Sequence, residues 1–202
     1  MFTDIDVQKI GEFHDICLAT ECWAKLAAPQ FSAGPWKYIE FNHRYNCLLW
    51  DEEDLARRKN VPDSEIATNK RAIDGYNQKR NDAIENIDDL LLQRTAQITP
   101  AKGAWLSSET AGSMIDRLSI ASLKIFHMGL QIKREDVGSA HIEACKKKLS
   151  QLAAQRSDLQ KCLHDLLSAI ENGQAYYKIY RQFKMYNDAT LNPHLYENKN
   201  KV

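Results

Sequence analysis

Glycine and proline are scarce in this sequence, and they fall between stretches whose apolar residues recur every three or four positions. The 202 residues include only 8 Gly and 5 Pro. Because these residues interrupt helices most strongly, their positions divide the chain into long uninterrupted segments. Apolar residues at a period of about 3.6 in such segments predict amphipathic helices. The sequence therefore predicts an all-α helical bundle.

The breakers define about five long helices. The predicted helices cover residues 5–27, 36–59, 63–95, 110–134 and 139–172. Pro35 suits the first turn of the second helix. Asp63 and Thr110 are expected to be the N-caps of the third and fourth helices. Gly173 follows the fifth helix, where glycine commonly ends a helix.

After the fifth helix the helical spacing of apolar residues ends, and aromatic residues alternate with basic ones. The length of the whole chain is that of a single domain. We therefore expect a single helical domain over residues 1–202, with the bundle over 1–173 and a C-terminal aromatic and basic arm over 174–202. Such an arm could stack on single-stranded nucleic acid. Packing across the bundle, with rings inward and cations outward, is the favoured interpretation.

The overall charge argues against a nucleic-acid partner. Lys plus Arg and Asp plus Glu both number 27, so the formal net charge is zero, whereas nucleic-acid binders need a basic excess. No apolar run approaches the roughly 18 residues of a membrane span, and the N-terminus has no signal-peptide pattern. The five scattered cysteines indicate reduced thiols. We expect a cytoplasmic protein of bacterial type that does not contact a membrane.

The fourth helix is apolar on two sides, which predicts a central, buried position. The third helix, by contrast, has polar residues on its apolar seam: Lys70, Asn77 and Arg80. A buried polar group without a hydrogen bond costs roughly 1–3 kcal/mol. Partners for these side chains are therefore expected in the protein or in a ligand.

We expect these polar side chains to form a pocket between the second, third and fourth helices. The candidate ligand-binding residues are Asn46, Trp50, Asp54, Arg57, Asp74, Asn77, Arg80, Arg117 and Lys124. The catalytic candidates are His43, Glu53, Asp116 and His127. A purely structural network is the competing interpretation, because buried polar residues also set the register of packed helices.

Motifs for metals, cofactors and nucleotides are absent or incomplete in the sequence. A di-metal bundle needs two E-x-x-H pairs, and only Glu40 and His43 form one. The His164-Asp165 doublet of a metal-dependent phosphohydrolase falls on the face predicted to meet solvent. We therefore predict no metal and no cofactor. The start of the fourth helix, at Gly112 with Arg117 one turn on, is the best candidate for binding an anion.

Several runs of the sequence resemble a bacterial family of proteins with a domain of unknown function, DUF4254. The runs include HRYNCLLWDEEDLAR at 43–57, ETAGSMIDRLSI at 109–120 and YRQFKMYND at 180–188. One departure is Ala111, where the family pattern has proline. The resemblance implies an all-helical fold and no assigned activity. It also implies that the family motifs coincide with the polar residues of the expected pocket.

Two main classes of function fit these residues. The leading hypothesis is a helical bundle that binds a small anionic ligand or a partner protein through its polar interior. The alternative is an enzyme in which His43 or His127 acts as general acid–base beside a carboxylate, either Asp116 or Glu53. Self-association through the fourth helix and the arm is a third alternative.

Overall fold

The computed structural model describes residues 2, 5–182 and 185–196, and this part of the chain is all-α, as predicted. Its helices are α1 Val7–Ala19, α2 Trp23–Leu26, α3 Gly34–Leu55, α4 Asp63–Arg94, α5 Ala111–Ile132, α6 Ser139–Glu171 and α7 Pro193–Tyr196. A two-residue parallel pair joins β1 Trp105–Leu106 to β2 Ala175–Tyr176. A single 3₁₀ turn covers Met185–Asn187. No helix in the described residues is long and apolar enough to cross a membrane.

The prediction of one continuous first helix over residues 5–27 is wrong. The helix ends at Ala19, the chain turns through Cys22 in the left-handed conformation (φ 52°), and the short α2 follows. The turn lets Trp23 become buried, with its ring edge-on to Phe13 at a centroid distance of 6.0 Å. The stabilisation gained by burying the Trp23 side chain therefore outweighs the preference of the turn residues for a continuous helix.

The other helix ends follow the local signals closely. Thr110 caps α5 by accepting a hydrogen bond from the Ser113 N–H at 3.1 Å, and Pro35 lies in the first turn of α3. The expectation for Asp63 is wrong, because Pro62 takes the N-cap position and Asp63 begins α4. Its carboxylate still lies in the first turn, where the helix dipole favours negative charge.

Helix α5 lies at the centre of the bundle and packs against α1, α3, α4 and α6. The most extensive helix pairs are α3 with α4 and α5 with α6. The core joins side chains such as Ile10, Ile39, Ile87, Ile115 and Leu163, all fully buried. The two-sided apolar pattern of α5 is buried in its first half, whereas Leu130 near its end is 43% exposed. The second half of α5 therefore remains partly open.

The segment after Gly173 returns to the bundle. Gln174 and Tyr176 accept hydrogen bonds from the backbone N–H groups of Trp105 and Ser107, at 3.0 and 2.8 Å. Tyr177 is buried in the core, and Arg181 binds acidic residues of α4. Tyr177 and Arg181 thus follow the expected arrangement of rings inward and cations outward, whereas Tyr180, at 78% exposed, does not. The division into one domain with an arm remains a prediction.

Candidate functional site

Polar side chains on one face of α3 meet polar side chains of α5 inside the bundle. Asn42, His43 and Asn46 lie on the inward face of α3, and Asp116 and Ser119 face them from α5. All five are at most 8% exposed. They form one hydrogen-bonded group, which we call the polar cluster. His43, Asn46 and Asp116 are among the expected site residues, whereas Asn42 is not, and their role as a functional site remains a prediction.

Asp116 is the main acceptor of the polar cluster. Its Oδ1 accepts hydrogen bonds from the amides of Asn42 and Asn46, at 2.8 and 2.9 Å. The Asn46 amide also lies 3.0 Å from the Ser119 hydroxyl oxygen. Charge-assisted bonds from two amides offset much of the cost of burying a carboxylate. The cluster is thus largely satisfied from within.

His43 is sealed inside the protein. Its Nδ1 lies 2.8 Å from the Ser119 oxygen, and its ring stacks on that of His14 at 4.2 Å. Burial lowers the pKa of His43 to about 3, although a hydrogen bond to the His14 backbone opposes the shift. The imidazole is therefore neutral at pH 7. A fully buried neutral ring cannot exchange protons with a ligand, as a general base must.

Arg80 of α4 approaches the cluster without completing a hydrogen bond. Its Nε lies 3.8 Å from Asp116 Oδ1, and the side chain is 26% exposed. The Nε atom is buried, and no acceptor among the described residues satisfies it. Asp116 Oδ1 is already engaged by two amides, which explains the long distance. An unsatisfied buried donor costs roughly 1–3 kcal/mol, so Arg80 gains if an outside acceptor reaches it.

A cavity of about 380 Å³ opens beside Arg80, between α3, α4 and α5, and we call it the arginine cavity. Its lining residues are Asn46, Leu49, Trp50, Glu53, Asp54, Arg57, Arg80, Ile120 and Leu123. Arg57 is already paired with the Glu53 carboxylate at 2.7 Å. Asn46 connects this cavity to the polar cluster behind it. The volume lies within the range of roughly 300–1,000 Å³ that is usual for small-ligand sites.

A larger cavity of about 900 Å³ lies between α3, α5 and α6, and we call it the aromatic cleft. It is lined by Trp50, Asp54, Lys124, His127, Met128, Gln131, Lys148, Gln151, Leu152, Ala154, Gln155 and Asp158. The rings of Trp50 and His127 stack at 4.3 Å and 9°. Burial lowers the pKa of His127, opposed by the charges of Asp54 and Asp51. Trp50 and Asp54 line both cavities and so separate them.

Three of the candidate ligand-binding residues line neither of the two cavities, and a fourth lines only the aromatic cleft. Asp74 is exposed and pairs with Lys70, so both lie on the outer side of α4. Arg117 is exposed and binds Glu109 at 3.1 Å. Asn77 is half-buried and lines neither cavity. Lys124 is exposed and lines the aromatic cleft, with His127, instead of the arginine cavity.

The expected seam of α4 is wrong at Lys70. The buried polar residue in that turn is Asn69, whose amide donates to Glu52 of α3 at 2.7 Å. One residue turns a helix by about 100°, so this small shift moves Lys70 to the solvent side. Lys70 therefore needs no buried partner, contrary to the prediction that it lies on the apolar seam of this helix.

The start of α5 is not free to bind an external anion, contrary to expectation. The buried carboxylate of Asp88, from α4, accepts the Gly112 N–H at 2.7 Å. Thr110 takes the Ser113 N–H. Burial raises the pKa of Asp88 to about 6, while hydrogen bonds from Thr110 and Gly112 oppose the shift. The helix N-terminus already holds an anion, and it belongs to the protein.

Glu40, which is fully buried, forms an ion pair with the half-buried Arg44 that is not among the expected site contacts. The Glu40 carboxylate accepts the backbone N–H groups of Gln30 and Phe31 and binds Arg44 at 3.0 Å. Arg44 also donates to the carbonyl of Trp23, at 3.1 Å. The pair ties the segment before α3 to the bundle. The four-residue spacing of opposite charges was the available signal.

Metal binding has no support in the described part of the chain. Glu40, half of the E-x-x-H pair, is saturated by the donors described above. Within the described residues, no group of three or more His, Cys, Asp or Glu side chains is placed to hold a metal ion.

Comparison with known proteins gives a family but no activity. Neither the curated proteins nor the solved structures contain a significant match to this chain. A family model described as a protein of unknown function, DUF4254, matches residues 36–179. The matched region spans α3 to α6 and therefore includes the polar cluster and both cavities. The chain belongs to the DUF4254 family.

Proposed function

We propose that this protein binds a small organic anion in the arginine cavity, with Arg80 as the main charged donor. The observation that carries the proposal is the Arg80 guanidinium beside the cavity. Its Nε is buried and has no hydrogen-bond acceptor among the described residues, and it lies 3.8 Å from Asp116 Oδ1. A carboxylate or phosphate matches the planar fork of an arginine with two parallel hydrogen bonds.

The other arginine that lines the cavity already has a partner, so Arg80 is the arginine that is available to a ligand. Glu53 holds Arg57 through its carboxylate and its backbone carbonyl. Asp116 contributes negative charge behind Arg80 but directs its bound oxygen to the amides of Asn42 and Asn46. A ligand oxygen would therefore complete the hydrogen bonds of Arg80 without breaking an existing bond.

The acidic residues on the rim restrict the ligand further. Asp54 and Glu53 line the same cavity, so a ligand with several negative charges would be repelled. A ligand with one carboxylate and a hydroxyl or ammonium group would donate to Asp54 from that second group while its carboxylate binds Arg80. We therefore favour small hydroxy acids and amino acids. The indole of Trp50 would cover the apolar part of such a ligand.

Binding is favoured over acid–base catalysis in this cavity. His43 is sealed behind Asn46 and Ser119, and His127 lines the aromatic cleft on the other side of Trp50. The candidate catalytic pairs of the sequence therefore do not share the arginine cavity. A carboxylate alone, from Asp54 or Glu53, lacks the histidine partner that the enzyme hypothesis requires.

The test is a titration of the protein with glycolate, L-lactate, glycine, L-serine and inorganic phosphate, followed by calorimetry. At least one organic anion is expected to bind with a Kd below about 1 mM. Arg80→Met should weaken that binding by at least about tenfold, because the charged fork is lost. Arg80→Lys, which keeps the charge beside Asp116, tests the fork itself and guards against misfolding of the Met variant.

Arg117→Met is the matched control. Arg117 also belongs to the expected pocket residues, but it is exposed and paired with Glu109 outside the cavity. Its replacement should leave the affinity unchanged. The proposal fails if none of the organic anions binds, or if Arg117→Met weakens binding as much as Arg80→Met does.

A further inference from the structure

We propose that the aromatic cleft is a second binding site, which takes a flat, uncharged heteroaromatic ring. This site is distinct from the arginine cavity, and its ligand belongs to another chemical class. The cleft has the larger volume, about 900 Å³, and its walls come from α3, α5 and α6.

The cleft exists because α1 is short. Helix α1 packs in the groove between the same three helices, where His14 stacks on His43 and Asp15 binds Arg156 of α6 at 2.6 Å. With 13 residues, α1 is about 20 Å long, whereas the 22 residues of α5 extend about 33 Å. The chain turns away after Ala19. The groove continues beyond that point, where its lining residues among those described come from α3, α5 and α6 alone.

The uncovered part of the groove is lined by flat and polarisable groups. The stacked pair of Trp50 and His127 forms one wall, with Met128 and Leu152 beside it. Flat rings pack favourably against aromatic faces and edges, and a thioether adapts its shape to them. These residues are half-buried, so each has apolar surface still to cover.

The polar groups around the cleft suit the edge of a heterocycle. Gln151 and Gln155 are exposed on α6, and their amides can donate and accept at neighbouring positions. The charges are balanced, since Lys124 and Lys148 are matched by Asp54 and Asp158. A ring with alternating donors and acceptors and no net charge therefore fits better than a strongly charged ligand.

Trp50, which lines both cavities, also has an unsatisfied hydrogen-bond donor. Its indole N–H is buried and has no acceptor among the described residues. A ring nitrogen or carbonyl of a heterocycle lying in the cleft would accept this hydrogen bond. The ligand would thus meet the Trp50 side chain through both its ring contacts and its unsatisfied donor.

The experiment uses adenine and quinoline as uncharged probes and cyclohexanol as a non-planar control, with binding measured by calorimetry on the full chain. At least one flat probe should bind with a Kd below about 1 mM, and cyclohexanol should bind more weakly. Ala154→Trp should weaken the flat probe by at least about tenfold, because Ala154 lines the cleft. Ala153→Trp is the matched control, since Ala153 is exposed on α6 outside the cleft and should leave the affinity unchanged.

Two further variants test Trp50, which lines both cavities, and Arg80, which lines the arginine cavity but not the cleft. Trp50→Phe keeps an aromatic wall but removes the N–H, so it should weaken the flat probe by about fivefold. Arg80→Met should leave the affinity for the flat probe unchanged. The inference is overturned if neither flat probe binds, if Ala153→Trp acts as strongly as Ala154→Trp, or if Arg80→Met abolishes binding.

Discussion

His14 and His43 are two imidazoles stacked in the core, and their protonation links stability to pH. Burial lowers the pKa of His14 well below its ordinary value, and the charges of His43 and Arg156 lower it further. Neither ring nitrogen of His14 has a hydrogen-bond partner among the described residues. In the unfolded chain both histidines take up a proton near pH 6.5. The unfolded state therefore binds more protons below that pH, and stability falls as the pH falls.

We expect His14→Leu to reduce this loss of stability in acid. Between pH 6 and pH 4, wild type should lose about 1 kcal/mol more per pH unit than the variant, measured by urea unfolding. Asp88 acts in the opposite direction, because its pKa of about 6 lets the folded state gain a proton first. Comparing the two proteins at each pH cancels that contribution.

The control for this measurement is His164→Asn, at an exposed position of α6. That variant should follow the wild-type dependence on pH. Equal slopes for wild type and His14→Leu would show that the buried imidazole does not govern the acid sensitivity.

Helices α4 and α5 approach each other closely at Gly112. A Cβ placed there would lie 2.6 Å from the Ile84 carbonyl oxygen and 2.8 Å from Asp88 Oδ2. Both distances are far below ordinary contact. The close approach also lets the Gly112 N–H reach the Asp88 carboxylate. The absence of a side chain at this position thus sets the separation of the two helices and the internal capping of α5.

Gly112→Ala is therefore expected to destabilise the protein by about 1–3 kcal/mol, because the backbone of α4 must move. Gly129→Ala, in the same helix, has nothing within 4 Å of the added carbon. It should stabilise the protein by about 0.5–1 kcal/mol through helix propensity. Urea unfolding of both variants distinguishes them, and two changes of the same sign would contradict this account.

The helices could be predicted because their signals are local. Breakers, caps and apolar period fixed four long helices to within a few residues, and Thr110 capped α5 as expected. The turn at Cys22 could not be predicted, since it depends on burying Trp23 against Phe13. Lys70 was assigned to the wrong face of α4, because a periodic pattern with few apolar residues does not fix the rotation of a helix.

Part of the candidate site could also be predicted, because its residues on α3 follow a local pattern. Asn46, Trp50, Glu53, Asp54 and Arg57 follow one another at helical spacing on α3, and all of them line the arginine cavity with Arg80. The role of α6 in the aromatic cleft was missed, since it depends on where α1 ends in the groove. The internal anion at the start of α5 was also missed, because Asp88 and Gly112 lie on different helices.

The segment that follows Gly173 packs back onto the helical bundle. Tyr177 is 5% exposed and belongs to the same core as α1, α5 and α6. Arg181 spans Glu85 and Asp89 of α4, at 2.6 and 2.8 Å. The start of the arm is therefore part of the core that supports the bundle.

Tyr177→Ala should reduce the free energy of unfolding by about 3–5 kcal/mol, as expected when a large buried aromatic is removed. Tyr180→Ala provides the matched control, because Tyr180 lies three residues on and is 78% exposed. Its effect should stay within about 0.5 kcal/mol. If both variants are equally stable, this segment does not contribute to the core as described.

The convergence of three helices on the buried, unsatisfied Nε of Arg80 is the central feature of the molecule. Polar groups from α3 and α5 bind each other, and the Nε of Arg80, from α4, has no acceptor among the described residues beside the arginine cavity. The most direct measurement is the NMR signal of the Arg80 side-chain Nε–H, assigned by its loss in Arg80→Lys, during titration with L-lactate or L-serine. The signal should shift strongly with at least one of these ligands, while that of Arg117 stays in place. An Arg80 signal that ignores both ligands, or one that moves only as much as that of Arg117, would contradict the proposed site.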